Sequence, residues 1–344
     1  MHVLVIGGTS FMGPEVIKRL FNLGHEVTVF HRGQTKSDLP PGVHEILGDR
    51  NELLSYRATI QKLEPDAVLD MICMTETQAK ELVQTVDGIV NRIITASSQD
   101  VYRAFGLVNG TEKGAIEPVP IGEDGALRHN LYPQREFAKT EERRNYDKIL
   151  VERTIMNHPT IEGTVIRLPA VYGPNDRAHR WYSFIKPMSE QRPWILLPES
   201  LADWRWTRGY VENMAEGIVQ AVVDEQAKGK VYNLGENEAF TMKEWIKKLA
   251  SSLHWKGKIV ILPDSLLPEA YSWGINAEQD VIFTSDKIRN ELGFKETVSL
   301  EEGLKRTIDW ELKNPPETHG LDYEAEDEIM RLHHAKGAVL KVGN

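Results

Sequence analysis

The chain has 344 residues, of which 41% are hydrophobic and 27% charged, and its formal net charge at pH 7 is −10. This composition is ordinary for a globular protein and excludes the disordered and fibrous classes, and the length suits one large α/β unit or two lobes that share a cleft. The negative charge disfavours nucleic acid as a partner, because a phosphate backbone would be repelled unless a local basic patch were present.

The sequence also argues against a membrane-spanning helix, an internal disulfide and a metal site. No apolar stretch approaches the roughly 18 residues that a membrane-spanning helix needs, and the first apolar run ends at Gly7. The single cysteine, Cys73, excludes an internal disulfide. The adjacent histidines His333 and His334 have no third ligand at a fixed spacing, so we expect no metal site. We therefore predict a cytoplasmic protein.

Strands and amphipathic helices alternate from the first residues onward. Residues 2–6 form a predicted strand, residues 14–23 carry apolar side chains at helical spacing, and residues 26–30 form the next predicted strand. The alternation continues with strands at 67–69, 92–96 and 164–168 and with helices at 52–63, 77–86 and 136–156. Strands separated by helices indicate an α/β fold with a Rossmann-type, doubly wound parallel sheet.

The pattern changes twice along the chain. Residues 100–134 are rich in Gly, Pro and Glu, and a connection of this length is typical of a lid or a binding segment. Four of the eight tryptophans fall between residues 180 and 207. We predict an NAD(P)-binding domain at 1–170, to which 208–234 returns, and a smaller C-terminal α/β substrate-binding lobe made of 171–207 and 235–344.

The segment GGTSFMG joins the first predicted strand to the first helix, which is the context that a dinucleotide-binding loop requires. Glycine allows a tight turn and lets the backbone approach a pyrophosphate, whose charge the positive end of the helix stabilises. Ser10 stands where a third glycine commonly lies, and its hydroxyl can donate to a phosphate. The predicted cofactor contacts in this loop are Gly7, Gly8, Thr9, Ser10, Phe11, Met12 and Gly13.

The choice between NAD and NADP usually depends on the end of the second strand. Here the sequence is Phe30-His31-Arg32-Gly33, without an acidic residue that could bind the ribose hydroxyls. Arg32 can bind a 2′-phosphate through two hydrogen bonds and stack on the adenine. The alternative is an arginine that only caps the strand end. The sequence favours NADP, with NAD open as the other choice, and His31 and Arg32 as contacts.

Several further motifs occur at matching places along the chain. They are Gly48-Asp49-Arg50, SSQDVY at 97–102, RLPAVYGP at 167–174 and TSDKIRNELGFKETVSLEEG at 284–303. Together with the glycine loop they resemble the extended short-chain dehydrogenase/reductase superfamily, in its NAD(P)-dependent epimerase/dehydratase group. The GGxxxxG form resembles an atypical branch with sugar dehydratases, poorly characterised reductases and proteins similar to chloroplast stem-loop RNA-binding proteins. The resemblance implies cofactor contacts by Asp49, Arg50 and Pro169.

The resemblance also implies catalytic residues. In this superfamily a Ser or Thr, a Tyr and a Lys four residues after the Tyr serve proton transfer, while hydride moves to or from the nicotinamide. Ser98 aligns with the serine and Lys148 with the lysine, which is also expected to bind the nicotinamide ribose. The tyrosine is missing, because Arg144 stands four residues before Lys148.

Tyr146 is the nearest substitute for the missing tyrosine. Two residues apart on a regular helix, its side chain and that of Lys148 would point about 200° apart. If Tyr146 lies at or before the first helical turn, an ammonium about 4 Å from the phenol could lower its pKa by roughly 3 units. Tyr132 on the long loop, and an enzyme without a tyrosine catalyst, stay open as alternatives.

Arginine and tryptophan mark the predicted substrate side. The segment 204–213 resembles the place where an arginine of this family meets a nucleotide diphosphate, and strand alternation puts Trp206 and Arg208 on one face. Such a pair can bind an anion and stack a flat ring, although packing between lobes would explain it equally well. Arg177 and Arg180, after GPND, are candidates for an anionic substrate or for surface salt bridges.

These features together predict an NAD(P)-dependent oxidoreductase or epimerase/dehydratase for a polar carbonyl or hydroxyl compound, with nucleotide sugars among the candidates. Tyr146 would be the general acid/base and Ser98 would polarise the substrate oxygen. The alternative is a catalytically weak, cofactor-sensing binding protein, including an RNA-binding one. A homodimer is a further expectation that no motif specifies.

Overall fold

The computed structural model describes residues 1–35, 38–318, 320–335 and 341–342. Within these ranges, no helix has both the length and the apolar character needed to cross a bilayer. The strands are β1 (His2–Ile6), β2 (Glu26–His31), β3 (His44–Leu47), β4 (Ala67–Asp70), β5 (Arg92–Ser98), β6 (Glu162–Leu168), β7 (Ala170–Tyr172), β8 (Trp194–Pro198), β9 (Arg208–Tyr210), β10 (Val231–Asn233), β11 (Lys258–Leu262) and β12 (Lys341–Val342). The α-helices are α1 (Gly13–Asn22), α2 (Arg57–Leu63), α3 (Glu76–Val86), α4 (Arg103–Val108), α5 (Glu141–Arg144), α6 (Lys148–Met156), α7 (Tyr182–Ser189), α8 (Glu199–Ala202), α9 (Val211–Val223), α10 (Met242–Ser252), α11 (Asp286–Leu292), α12 (Leu300–Lys313) and α13 (Tyr323–Ala335).

The central sheet confirms the predicted doubly wound fold. It has seven strands in the order β10-β6-β5-β4-β1-β2-β3, and each neighbouring pair is parallel. The chain first builds outward from β1 to β3 and then returns to the other side of β1 with β4. In open parallel sheets such a reversal leaves a crevice at the carboxyl ends of the strands, where ligands bind.

Both faces of the sheet are covered by helices. In β1, Val3 and Val5 belong to an apolar core that includes α1 and α9, whereas Leu4 and Ile6 belong to one that includes α3. Strands buried on both faces form continuous apolar runs in the sequence, which explains why the central strands could be predicted from such runs.

The rest of the chain forms two small sheets and their helices. β7 and β9 form a two-stranded parallel sheet, and β8, β11 and β12 form a three-stranded one. The segment 208–234 contributes β9 to the two-stranded sheet and β10 to the central sheet. The boundaries of the two domains stay a prediction.

The prediction of one continuous helix over 136–156 is wrong. The structure has the short α5, then a non-helical break, and then α6. The Asp147 carboxylate accepts hydrogen bonds from the backbone N–H groups of Ile149 and Leu150 and so caps α6 at its first residue. A capping aspartate favours extended backbone at its own position, which is why the chain cannot run helically through it.

Three smaller differences concern short elements. The helix predicted at 52–63 begins as a 3-10 helix over Arg50–Tyr56 and becomes α-helical only in α2. The segment predicted as a loop over 100–134 contains α4 near its start. The prediction omits β3, a mostly exposed edge strand of four residues in which only Ile46 and Leu47 are apolar.

Candidate active site

The glycine loop folds tightly between β1 and α1. Gly7 and Gly8 have φ angles of 84° and 86°, in the left-handed region that side chains disfavour. Gly13 packs so closely on Gly8 that a Cβ at residue 13 would lie 2.2 Å from the Gly8 carbonyl oxygen. Among the described residues no side chain caps the start of α1. The Gly13 N–H donates to the Ser10 carbonyl oxygen and Pro14 has no N–H, so it is the positive dipole end of α1, with the glycine loop before it, that can bind an anion such as a pyrophosphate.

A cleft of about 510 Å³ opens beside this loop. The predicted cofactor and substrate residues that line it are Gly7, Gly8, Thr9, Ser10, Phe11, Met12, His31, Arg32, Asp49, Arg50 and Arg177. Of the other predicted cofactor residues, Gly13 packs against Gly8, and Pro169 follows β6 and lies near Gly235.

The cleft also has lining residues that the sequence analysis missed. They are Gln34, Thr35, Asn51, Met71, Ile72, Met74, Gln78 and Glu142. Met71, Ile72 and Met74 follow β4 directly, and the carboxyl end of a central parallel strand is a signal that could have identified them. Gln78 and Glu142 carry no such signal, because they lie on helices and meet only in the folded chain, where Gln78 Nε2 donates to Glu142 Oε1 at 3.2 Å.

The two predicted cofactor residues at the end of β2 differ in their contacts. The His31 ring is buried, with Nε2 2.7 Å from Glu45 Oε2 and Nδ1 accepting from the Gly33 N–H. Arg32 is exposed, and within the described ranges its guanidinium has no hydrogen bond or ion pair. Arg32 is therefore free to meet a ligand phosphate at this end of the cleft.

Arg50 lines the cleft and is hydrogen-bonded to β4 and α3. Its Nη2 donates to Asp70 Oδ2 at 2.5 Å and to the Gln78 carbonyl oxygen, and its side chain is buried. Asp70 in turn accepts from the Ile72 N–H at 2.9 Å. Arg50 thereby fixes the loop after β4, while Asp49 caps the following turn by accepting from the Asn51 N–H.

Tyr146 lies directly before the Asp147 cap of α6, outside the helix. Its backbone forms an isolated bridge with Thr75 in the loop after β4. Its hydroxyl donates to Asp100 Oδ2 at 2.6 Å, and the Ser98 hydroxyl also interacts with the phenol and favours its ionised form. The structure therefore brings Ser98 and Tyr146 together next to the loop that carries the cleft residues Met71, Ile72 and Met74.

The prediction that Lys148 lowers the pKa of Tyr146 is wrong. The Lys148 ammonium is buried and donates to the carbonyl oxygens of Cys73 and Ala96, at 2.7 and 2.8 Å. The pKa of Tyr146 is raised well above its ordinary value, by burial first and then by the charge of Asp100. Lys148 ties the loop after β4 and the last part of β5 to α6. Its contact with a cofactor ribose stays a prediction.

The alternative tyrosine lies in a different environment. The Tyr132 ring is covered by the Arg135 guanidinium, 3.8 Å from the ring centroid, and the Tyr132 N–H donates to Asp147 Oδ2. Within the described part of the chain its hydroxyl has no hydrogen bond to Ser98. Tyr146 is therefore the better placed of the two candidates.

The structure brings Trp206 and Arg208 together in a buried setting. The Arg208 guanidinium lies 4.4 Å from the Trp181 ring and 5.0 Å from the Trp206 ring. Its hydrogen bond is to Met242 Sδ, its Nε is buried without a partner, and it has no ion pair within the described ranges. Burial, and then the charge of Arg180, lowers the pKa of Arg208 to about 9.

The remaining charged groups on this side are arranged around Arg208. Arg180 donates to Asp176 Oδ1 at 2.6 Å, whereas Arg177 is exposed and lines the cleft. Glu236 accepts from the Tyr172 hydroxyl, and its burial raises its pKa to about 7. A positive charge that is buried without a carboxylate partner is costly unless a ligand supplies an anion.

In the described residues no group of three or more His, Cys, Asp or Glu could hold a metal ion. The side chains of His333 and His334 lie outside the described residues.

The chain matches one protein family and is similar to several known proteins. Residues 3–235 match the NAD dependent epimerase/dehydratase family. The chain is 23% identical over 338 residues to a UDP-N-acetyl-alpha-D-glucosaminuronate decarboxylase of Bacillus cytotoxicus, covering 89% of this chain and 96% of the relative. Its fold resembles dTDP-glucose 4,6-dehydratase of Bacillus anthracis in complex with NAD, with a TM-score of 0.67, 16% identity, and coverage of 91% of this chain and 97% of the other.

A chloroplast stem-loop binding protein of Arabidopsis thaliana is also similar, with 20% identity over 348 residues, 95% of this chain and 84% of the relative. An RNA-binding role is nevertheless not favoured, because the net charge is −10 and the matched family is one of enzymes. The protein is an enzyme of the short-chain dehydrogenase/reductase type, and it belongs to the NAD dependent epimerase/dehydratase family.

Proposed function

We propose that this enzyme uses NADP to oxidise, reduce or rearrange a nucleotide sugar at a hydroxyl or carbonyl carbon. The observation that carries the proposal is the buried guanidinium of Arg208, which has no ion pair among the described residues and whose Nε has no hydrogen-bond partner there. Such a group suits the diphosphate of a nucleotide sugar. Arg180 acts on Arg208 electrostatically and lies three residues from Arg177, which lines the cleft. The similar decarboxylase and dehydratase are named for UDP- and dTDP-linked sugars. A cytoplasmic location and a homodimer stay predictions.

The residues present fit a dinucleotide. The uncapped start of α1 suits the pyrophosphate. Arg32, which has no ion pair among the described residues, suits a 2′-phosphate on the adenosine ribose. Asp49 would lie near the adenine. When bound, the nicotinamide supplies or accepts hydride.

Ser98 and Tyr146 would bind the reacting oxygen of the substrate. Ser98 would donate to that oxygen and orient it, and Tyr146 would exchange a proton with it. A positioned acid/base group of this kind contributes about 10²- to 10⁴-fold to the rate. Arg208 and Arg180 would hold the far end of the substrate and so position the sugar.

The cofactor preference is testable through Arg32. The exchange Arg32→Ala should weaken NADPH binding by about 10- to 100-fold and leave NADH binding nearly unchanged, because only NADPH offers the phosphate that Arg32 would bind. Titration calorimetry with both nucleotides measures this effect. Gln34→Ala, on the same wall of the cleft, is the control and should change neither affinity by more than about 3-fold. An equal loss for NADPH and NADH in Arg32→Ala would contradict the preference.

The substrate class is testable through Arg208. The exchange Arg208→Met should weaken binding of UDP by about 100-fold, because the diphosphate would lose a desolvated charged partner. Arg205→Met is the matched control, since Arg205 lies in the same segment but is half exposed and pairs with Asp280. Circular dichroism reports whether each variant is folded. If UDP and dTDP both fail to bind the wild type, or bind Arg208→Met equally well, the proposed substrate class is wrong.

A further inference from the structure

The tyrosine that we propose as acid/base is bonded to a carboxylate. Because the Tyr146 hydroxyl donates to Asp100 Oδ2 at 2.6 Å, its hydrogen points to Asp100 and its lone pairs stay free to accept. In this state the phenol can take a proton from a substrate hydroxyl only if its own proton leaves toward Asp100. The hydrogen bond thus fixes the direction in which a proton can move.

Asp100 can receive that proton. Its second oxygen, Oδ1, is buried without a hydrogen-bond partner in the described residues and lies 3.9 Å from Arg128 Nη2. The Asp100 N–H donates to Ser98 Oγ, which holds the carboxylate and the serine on one turn. The Asp100 side chain is partly exposed as a whole, but its Oδ1 is buried, so the transferred proton rests on the carboxyl group.

The charges around Asp100 come from two segments. Arg128, on the long loop, and Lys148, at the start of α6, both stabilise the ionised carboxylate, whereas Asp147 opposes it. Burial outweighs them, so the pKa of Asp100 is raised above its ordinary value. Lys148 therefore acts on the carboxylate behind the tyrosine, while its own hydrogen bonds go to backbone carbonyls.

We propose that Tyr146 and Asp100 form a two-step proton relay, in which Asp100 is a positioning residue that acts through the tyrosine. In the oxidising direction the substrate O–H bond breaks and a new O–H bond forms on Tyr146. The former tyrosine proton passes to Asp100 Oδ2, and the substrate C–H electron pair leaves as hydride to the nicotinamide. In the reducing direction every transfer reverses. This inference rests on the function proposed above.

The relay has a pH signature. Asp100 must be ionised to accept the proton, so turnover in the oxidising direction should fall as the pH falls through the pKa of Asp100. A tyrosine activated by a lysine would instead lose turnover as the pH falls through the pKa of the phenol. The relay therefore predicts that the fall in turnover at low pH reports the protonation of a carboxyl group and not of a phenol.

The exchange Asp100→Asn tests the relay, because the Asn Oδ1 can still accept from Tyr146 but cannot take its proton. With whichever of UDP-glucose, UDP-glucuronic acid or dTDP-glucose the wild type turns over, kcat should fall by about 100-fold or more at nearly constant KM, and the acid limb should disappear. Asp124→Asn, an exposed acid on the same loop, is the control. A wild-type kcat and acid limb in Asp100→Asn would overturn the relay.

A second measurement needs no substrate. With ¹³Cζ-labelled tyrosine, NMR should show a lower pKa for Tyr146 in Asp100→Asn than in the wild type, because the charge of Asp100 raises it. An unchanged Tyr146 titration would overturn the coupling. If Tyr146→Phe is inactive while Asp100→Asn is fully active, the relay alone fails. If Tyr146→Phe is fully active, the proposed catalytic site fails with it.

Discussion

Turnover should fall by about 10²- to 10⁴-fold when Tyr146 is replaced by phenylalanine, with cofactor affinity nearly unchanged. The ring and its packing are kept in Tyr146→Phe, so the loss isolates the hydroxyl that meets Asp100 and Ser98. Steady-state kinetics with NADPH or NADP⁺ and the active nucleotide sugar measures kcat, and calorimetry measures the affinity for the cofactor.

The neighbouring candidate supplies the control for this experiment. Tyr132→Phe removes the hydroxyl from the ring that Arg135 covers, and it should leave kcat within about 3-fold of the wild type. If Tyr146→Phe keeps full turnover, the hydroxyl is not the acid/base. If Tyr132→Phe loses turnover instead, Tyr132 is the catalytic tyrosine.

The second large effect is expected at Gly13. A Cβ at this position would lie 2.2 Å from the Gly8 carbonyl oxygen and 2.3 Å from the Gly8 Cα, so Gly13→Ala must displace the loop from the start of α1. A shift of about 1 Å between a ligand and its binding groups can cost about 10²-fold, and we expect dinucleotide affinity to fall by at least that factor. Calorimetry with NADPH measures the loss.

Ser10→Ala is the control for Gly13→Ala, because it removes one hydroxyl from the same loop and leaves the backbone where it is. Its effect on affinity should be about 10-fold or less. Thermal unfolding followed by circular dichroism shows whether Gly13→Ala is still folded. A folded Gly13→Ala variant with wild-type affinity would mean that the dinucleotide does not rest on this loop.

The central fold could be predicted from the sequence because its signals are local. β1 and β2 are short apolar runs, and the glycine loop with its following amphipathic helix lies between them. Buried parallel strands have this appearance whatever the rest of the chain does. β3 could not be predicted in this way, because an edge strand with exposed His44 and Glu45 resembles a loop.

The site could be predicted only in part, because side-chain direction depends on distant partners. Tyr146 was expected to act only if it lay before the first turn of α6. It does so because Asp147 caps the helix, but in the sequence Asp147 is only one acidic residue among others. Spacing alone could not show that the Lys148 ammonium would donate to carbonyl oxygens of the loop after β4 and of β5. Asp100, two residues after Ser98, was visible in the motif, but its contact with Tyr146 spans 46 positions.

The most direct test is a crystal structure of the wild-type chain grown with NADPH, supported by a calorimetric titration of the same sample. We predict the pyrophosphate on the glycine loop at the start of α1, the 2′-phosphate on Arg32, and the nicotinamide facing Ser98 and Tyr146. A cleft that holds no dinucleotide, together with no calorimetric binding of NADPH or NADH at millimolar concentration, would contradict this prediction.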